Sequence, residues 1–375
     1  MCCIITDAMK LMKLPLIKQG ESMEKYMAAP YLEKLFDRQK RPLSFNARNE
    51  KEFNQWKQKT RKKLKQLIGY NKFEKTNPAP KINEIVEFEN FVRIHMEIKT
   101  EPEIVMPFYV LKPKDNKKKY PAIIAVHGHG SGGKYAVAGR KDIPEIAEAI
   151  KKYNYDYGIQ FVENGFLVFC PDARGFGERQ EKWAKGNILA SSCLWLNNMA
   201  IPLGITVAGM WAWDIHRLID YIQTREDVVK NQIGCAGLSG GGLQTLWASA
   251  LDDRIKCAVI SGYMYGYKES LFEMCTNCSC NYVPHLYEYL DMGDIAALIA
   301  PRPLLIETGT RDPLNGKSGL KNVYSQTSII KNAYKILGRE KMFLHDVFEG
   351  EHRWHGEKAI PWVKKHLLKN EENEQ

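Results

Sequence analysis

Short, continuous apolar runs alternate with longer stretches of helical periodicity over most of this chain, beginning at Ala122–Val126. The runs Phe166–Cys170, Ile233–Ala236, Cys257–Ile260, Leu304–Glu307 and Met342–Phe348 read as strands. Between and after them, Ile143–Asn164, Ile205–Gln223, Leu243–Leu251, Lys321–Leu337 and Glu357–Leu368 read as helices. Strands that are apolar throughout must be covered on both faces. The pattern therefore predicts an α/β fold, with a mainly parallel central sheet between two helical layers.

Upstream the pattern differs. Tyr31, Leu35, Phe53, Trp56, Leu64 and Leu67 fall at helical separations, so residues 1–80 read as an N-terminal helical arm. Asn77-Pro78-Ala79-Pro80 breaks it. The apolar positions from Ile82 to Ile98 and from Met106 to Leu111, joined by a turn at Thr100–Glu103, read as antiparallel strands opening a second unit, 81–375. Within that unit, residues 263–300 are too long for a simple crossover and are expected to form a rim insertion beside a site.

Composition narrows the class. With 375 residues, 44% hydrophobic and 26% charged, the chain reads as a soluble globular protein. No run approaches the roughly 20 apolar residues that span a bilayer, and no membrane association is expected. Asp7 and Lys10 interrupt the first apolar stretch, which argues against a signal peptide and for a cytoplasmic location. The net charge of +10 gathers in Lys57, Lys59, Arg61, Lys62, Lys63 and Lys65 and in the 112–119 stretch. These read as one solvated helix and one loop without interleaved aromatic residues, so nucleic acid is not an expected partner. Nine cysteines, an odd number, with Cys170, Cys235 and Cys257 inside strands, read as free thiols. Oligomeric state is not legible.

The chemistry concentrates at Gly237-Leu238-Ser239-Gly240-Gly241, a GxSxG turn between a strand and a helix. Such a turn holds the serine in a strained conformation with its hydroxyl outward, which the flanking glycines permit. A serine needs a base to take its proton and a carboxylate to orient that base. Asp312 follows the Leu304–Glu307 strand in a Thr-Gly-Thr-Arg-Asp-Pro turn, and His352 follows the Met342–Phe348 strand just after Gly350. His355 is the rival base and Glu307 the rival acid. His127-Gly128-His129-Gly130, directly after Ala122–Val126, supplies an oxyanion loop. The backbone N–H groups of His129 and Gly240 are the expected donors.

Other residues have plainer readings. Cys275, Cys278, Cys280 and His285 are spaced more tightly than the usual paired zinc motif and read as free thiols of the rim. His127 and His129 read as loop histidines, so neither a metal nor a cofactor is expected. Among the aromatic residues bracketing the catalytic segments, Trp354, Tyr263 and Tyr265 are candidate pocket walls. Arg174 is expected to fix its loop by pairing with Asp172 or Glu178, and Asp214 to be structural.

With HGHG at 127–130, PDARGFGE at 171–178, GLSGGG at 237–242, PRPLLIETGTRDP at 301–313 and GEHRWHG at 350–356, residues 82–370 resemble the α/β-hydrolase superfamily. Within it they resemble the dienelactone hydrolase-like and acetyl xylan esterase-like bacterial enzymes. The resemblance implies hydrolysis of a small-molecule ester through an acyl-serine intermediate, without a cofactor. Dienelactone hydrolases carry a cysteine nucleophile where this chain has Ser239. The characterised acetyl xylan deacetylases carry RGQ, GxSQG and His-Glu where this chain has Arg174-Gly175-Phe176, Gly240 and His352-Arg353. An esterase is therefore expected, with short acyl esters, acetyl among them and carbohydrate esters included, as substrates. A prolyl-oligopeptidase-type peptidase would share the turn, but an arm of about 80 residues has no room for its propeller. A catalytically silent binding scaffold is the other alternative.

Overall fold

The computed structural model describes residues 26–115 and 117–368. One nine-stranded sheet organises them: β1 Lys81–Glu87, β2 Phe91–Glu101, β3 Ile104–Pro113, β4 Tyr120–Val126, β5 Leu167–Pro171, β6 Val228–Leu238, β7 Cys257–Ser261, β8 Leu304–Gly309 and β9 Phe343–Phe348. The spatial order is β1-β2-β3-β5-β4-β6-β7-β8-β9. The pairings from β1 through β5 are antiparallel, and those from β5 through β9 are parallel.

The unbroken apolar runs are the buried parallel strands, as the pattern predicts. Every residue of β4, β5, β7 and β8 is buried. Alternation along β4 divides the interior: Ile123 and Ala125 pack on one face, Ala122, Ile124 and Val126 on the other. The helix Gly240–Leu251, buried at every residue, and the helix Val207–Ile222 cover the sheet on one side. Pro144–Tyr153, Tyr157–Glu163 and Ala359–Leu367 cover the other. The stretch expected as one helix at 143–164 is two, because Asn154 takes a left-handed conformation (φ 55°) and its side chain donates to the Trp354 carbonyl at 3.1 Å. The break serves the segment that carries His352.

The helices Ala29–Asp37 and Glu50–Leu67 fall within the stretch expected to be helical, whose residues 1–25 lie outside the described residues. Phe36, Phe53, Trp56, Leu64 and Ile68 join the same core as the Gly240–Leu251 helix. The basic face of Glu50–Leu67 corrects the expectation of a solvated helix. Lys57 donates to the Ala300 carbonyl at 2.9 Å, and Arg61 donates to the Ala250 carbonyl at 2.7 Å while gripping Asp253 with two bonds of 2.6 Å. Burial pushes the Lys57 ammonium down to about 8. Lys57 and Arg61 thus dock the helix, while Lys59 and Lys62 remain exposed.

Candidate active site

Ser239 ends β6 and begins the helix Gly240–Leu251 at φ 60°, ψ −119°, a region that non-glycine residues rarely adopt. Close backbone approach explains the glycines around it. A Cβ on Gly241 would sit 2.2 Å from the Val126 carbonyl oxygen, and one on Gly237 would sit 2.6 Å from the Gly241 carbonyl. The turn is thus clamped backbone to backbone against the end of β4. The Ser239 amide donates to the Ser261 carbonyl at 2.9 Å, which ties the turn to β7 as well.

The loop after β4 is equally fixed. His127 is buried and accepts the Ala173 amide at Nε2 (3.0 Å), which leaves its proton on Nδ1, 3.1 Å from the Gly128 carbonyl. Burial pushes its imidazole down to about 4, so it is neutral in this role. Gln244 donates to the His127 carbonyl at 2.8 Å, Ser131 to that of Gly128 at 2.7 Å and Tyr155 to that of His129 at 2.7 Å. A Cβ on Gly128 would come within 3.0 Å of the Ser239 Cβ, so loop and serine are in direct apposition. The His129 amide has no acceptor among the described residues. Gly240 occupies the first helical position, where an amide has no partner within its own helix.

Asp312 and His352 meet although they lie on separate loops. His352 Nδ1 is 2.7 Å from Asp312 Oδ2, and the other carboxylate oxygen accepts the Leu314 amide at 2.9 Å. Their loops continue the β8–β9 pairing, with the Thr310 amide on the Phe348 carbonyl at 2.9 Å and Arg311 on Gly350 at 2.8 Å. With Nδ1–H given to the aspartate, Nε2 is the free acceptor. The ring lies against Gly262, where a Cβ would be 2.9 Å from its Cε1. Gly262 directly follows Ser261, which holds the serine's amide.

His355 has a different environment. Its Nδ1 is 2.8 Å from Asp346 Oδ2, and its ring stacks on Phe348 with centroids 4.3 Å apart. Glu307 is fully buried and accepts the amides of Gly356 at 2.8 Å and His355 at 3.3 Å. It anchors the histidine loop, and burial is the main cause of its raised carboxyl pKa. Beside the loop after β4, Lys134 and Asp172 form a buried ion pair that the partly exposed Glu178 joins. Arg174 does not join it: the arginine binds Asp214 through two bonds of 2.8 and 3.0 Å and Glu101 at 2.7 Å. The expected pairing of Arg174 with Asp172 or Glu178 fails because Lys134 already occupies both carboxylates.

A cavity of about 1020 Å³ opens over Ser239 and Gly240. Tyr263 and Tyr265 line it, with the Tyr263 hydroxyl donating to Asn281 at 2.7 Å and that of Tyr265 buried without a partner among the described residues. Trp354 does not line this cavity. It is 0% exposed, stacked on Tyr157 at 4.5 Å, and belongs to the core behind the histidine loop. The 183–195 stretch forms a further wall, from two of the aromatic residues that bracket the catalytic segments in the sequence but were not singled out there over Trp354. There Trp183, 48% exposed, stacks with Trp195 at 6.3 Å between centroids.

The four-residue group Cys275, Cys278, Cys280 and His285 does not assemble. Cys275 is exposed and donates to the Phe272 carbonyl at 2.6 Å, while His285 pairs with Glu288 at 2.8 Å. Cys278 and Cys280 instead converge with Cys193 on the His129 ring. That ring lies over Gly240, where a Cβ would be 2.9 Å from Nδ1, so a side chain at position 240 would displace it.

The turn with its strained serine, the oxyanion loop after β4 and the strand order define an α/β-hydrolase fold. The chain belongs to the Abhydrolase family, whose sequence model matches residues 17–360. It is 31% identical over 229 residues to "Putative hydrolase YtaP" of Bacillus subtilis (strain 168), covering 60% of this chain and 71% of that protein. Its fold is similar to that of a structure titled "putative acetyl xylan esterase" from Bacteroides fragilis NCTC 9343, with a TM-score of 0.76 and 18% identity over 95% of this chain and 97% of the other. A glucuronoyl esterase from Solibacter usitatus is similar with a TM-score of 0.58 and 17% identity over 85% and 94% of the two chains.

Proposed function

We propose that this protein is a serine carboxylic-ester hydrolase that removes short acyl groups, acetyl foremost, from carbohydrate esters. The observation that carries the reading is the 2.7 Å Asp312–His352 pair packed on Gly262, next to the strained Ser239. In this scheme the Ser239 hydroxyl attacks the ester carbonyl carbon while His352 Nε2 takes its proton. The tetrahedral oxyanion accepts hydrogen bonds from the amides of His129 and Gly240. Collapse breaks the bond to the alcohol oxygen, which leaves with the proton from His352. Water then attacks the acyl-serine, His352 again holds the proton, and the acid departs as Ser239 recovers its hydrogen.

The stacked Trp183 and Trp195, with Asn187, Tyr265 and Asn281 around them, favour a sugar ring on the alcohol side. Aromatic faces cover the apolar faces of a pyranose while amides meet its hydroxyls. The structures with similar fold, a putative acetyl xylan esterase and a glucuronoyl esterase, support a carbohydrate ester as the substrate class, and the first of them supports a sugar on the alcohol side. A fluorophosphonate probe should label the wild-type protein and not Ser239→Ala. Acetylated sugars, short p-nitrophenyl esters and uronate methyl esters should then be compared by kcat/KM, with acetylated sugars expected to lead. Labelling that survives loss of Ser239 refutes the mechanism, and a lead for uronate methyl esters refutes the substrate class.

A further inference from the structure

We infer that His129, Cys193, Cys278 and Cys280 form a binding site for a thiophilic divalent cation, zinc in the first place, that ties the oxyanion loop to the rim of the cavity. The four ligand atoms lie within 4.8 Å of one another. His129 Nε2 is 3.7 Å from Cys193 Sγ and 3.6 Å from Cys280 Sγ. A tetrahedral zinc with bonds of about 2.3 Å to sulfur and about 2.0 Å to nitrogen has N···S edges of roughly 3.6 Å and S···S edges of roughly 3.8 Å. The two N···S separations match the first of those edges, and the sulfurs lie within 4.8 Å of one another.

The ligands come from three segments: the loop after β4, the first residue of the helix Cys193–Ala200, and the rim. His129 is 64 positions from Cys193 and 151 from Cys280, so chain proximity does not account for their meeting. The other buried cysteines, Cys170, Cys235 and Cys257, do not join such a group among the described residues. The surroundings also fit a thiolate site. Asn281 points its Nδ2 at Cys280 Sγ (3.7 Å) and is itself held by Tyr263, the kind of outer contact that orients metal ligands. Gly240 clears the space in which the His129 ring turns toward the sulfurs. A second group, Glu307, Asp346 and His355, has its carboxylates already engaged by Lys358 and by backbone amides and needs no ion.

Four protein ligands of the Cys₃His type close the coordination sphere, so the ion would have a structural role and no open position for substrate. Binding releases up to about three thiol protons to the buffer and involves no redox step. The ion would hold His129, and with it the amide that faces the oxyanion, by a bond to the rim. This inference does not depend on the proposed ester chemistry.

The test uses the full chain, reduced and stripped with a chelator, then titrated with Co²⁺. Thiolate charge-transfer and tetrahedral d–d bands should rise to an end point of one ion per chain and vanish on adding Zn²⁺. Cys193→Ser and Cys280→Ser should lose that end point, whereas Cys275→Ser and His285→Ala should keep it. To guard against misfolding of the serine variants, wild-type protein should be alkylated with and without Zn²⁺ and its peptides mapped. Protection of Cys193, Cys278 and Cys280 but not Cys275 supports the site. Absence of tetrahedral bands, unchanged alkylation, or a disulfide between two of the three cysteines in protein purified without reductant overturns it.

Discussion

His352 and Asp312 face each other at 2.7 Å across two loops that are themselves joined by backbone hydrogen bonds. Asp312 has no freedom to follow any other partner, since its second oxygen holds the Leu314 amide. Asp312→Asn should therefore lower kcat by about 10³- to 10⁴-fold, because an amide favours the wrong imidazole tautomer, with a much smaller change in KM. His352→Ala should abolish turnover. His355→Ala, whose partner is Asp346, should leave measurable ester hydrolysis, and steady-state kinetics on one ester distinguishes the three.

The backbone of Ser239 stores strain. At φ 60°, ψ −119°, glycine is at ease where serine is not. Ser239→Gly should raise stability by about 1–2 kcal/mol while eliminating activity. Chemical denaturation of Ser239→Gly beside Ser239→Ala checks this, since only the glycine variant should gain.

Asp214 is buried and neutralises both Arg174 and Arg179, at 2.8 and 2.7 Å. Asp214→Ala leaves two enclosed guanidinium groups without their shared counter-charge. A loss of roughly 3–5 kcal/mol is expected, read from urea unfolding at neutral pH.

Acid sensitivity should trace in part to Glu178. Burial works against its ionised form, but the hydrogen bond from His95 and the charge of Lys134 outweigh it and bring the carboxyl down to about 2. Because the folded value lies below the unfolded value near 4.5, the contribution is complete above that pH and is lost as pH falls toward 2. Glu178 is partly exposed, so the effect is screened and modest. In Glu178→Gln the stability curve should be flatter between these limits than in the wild type.

Trp183 is half exposed and packs mainly on Trp195. Trp183→Ala should raise KM for acetylated sugars by about three- to tenfold with little effect on p-nitrophenyl acetate. Equal effects on both esters would place the tryptophan outside the sugar contact.

The placement of the candidate residues was legible because they sit at strand ends. Ser239, Asp312 and His352 each follow an apolar run whose end the sequence marks with a glycine, and the parallel strands β6, β8 and β9 carry them to the same end of the sheet. What was hidden depends on contacts that leave no local spacing. Cys193 meets His129 only because a helix start folds over the loop after β4. Lys57 and Arg61 look like solvated charge until the carbonyls at the ends of two distant segments absorb them. Arg174 had two carboxylates within reach of inference, and a buried lysine takes both of them. Trp354 shares its loop with His352, yet Tyr157 draws it inward.

The contact of Gly241 with the Val126 carbonyl has a mechanical consequence. The spacing between the Ser239 turn and the loop after β4 is set by two main chains in van der Waals contact, with no rotamer in between. Rim side chains such as Trp183 can then be exchanged without detuning the attack geometry. If the proposed mechanism holds, reactivity and substrate choice are separable in this molecule, and the second can be redesigned while the first is left untouched.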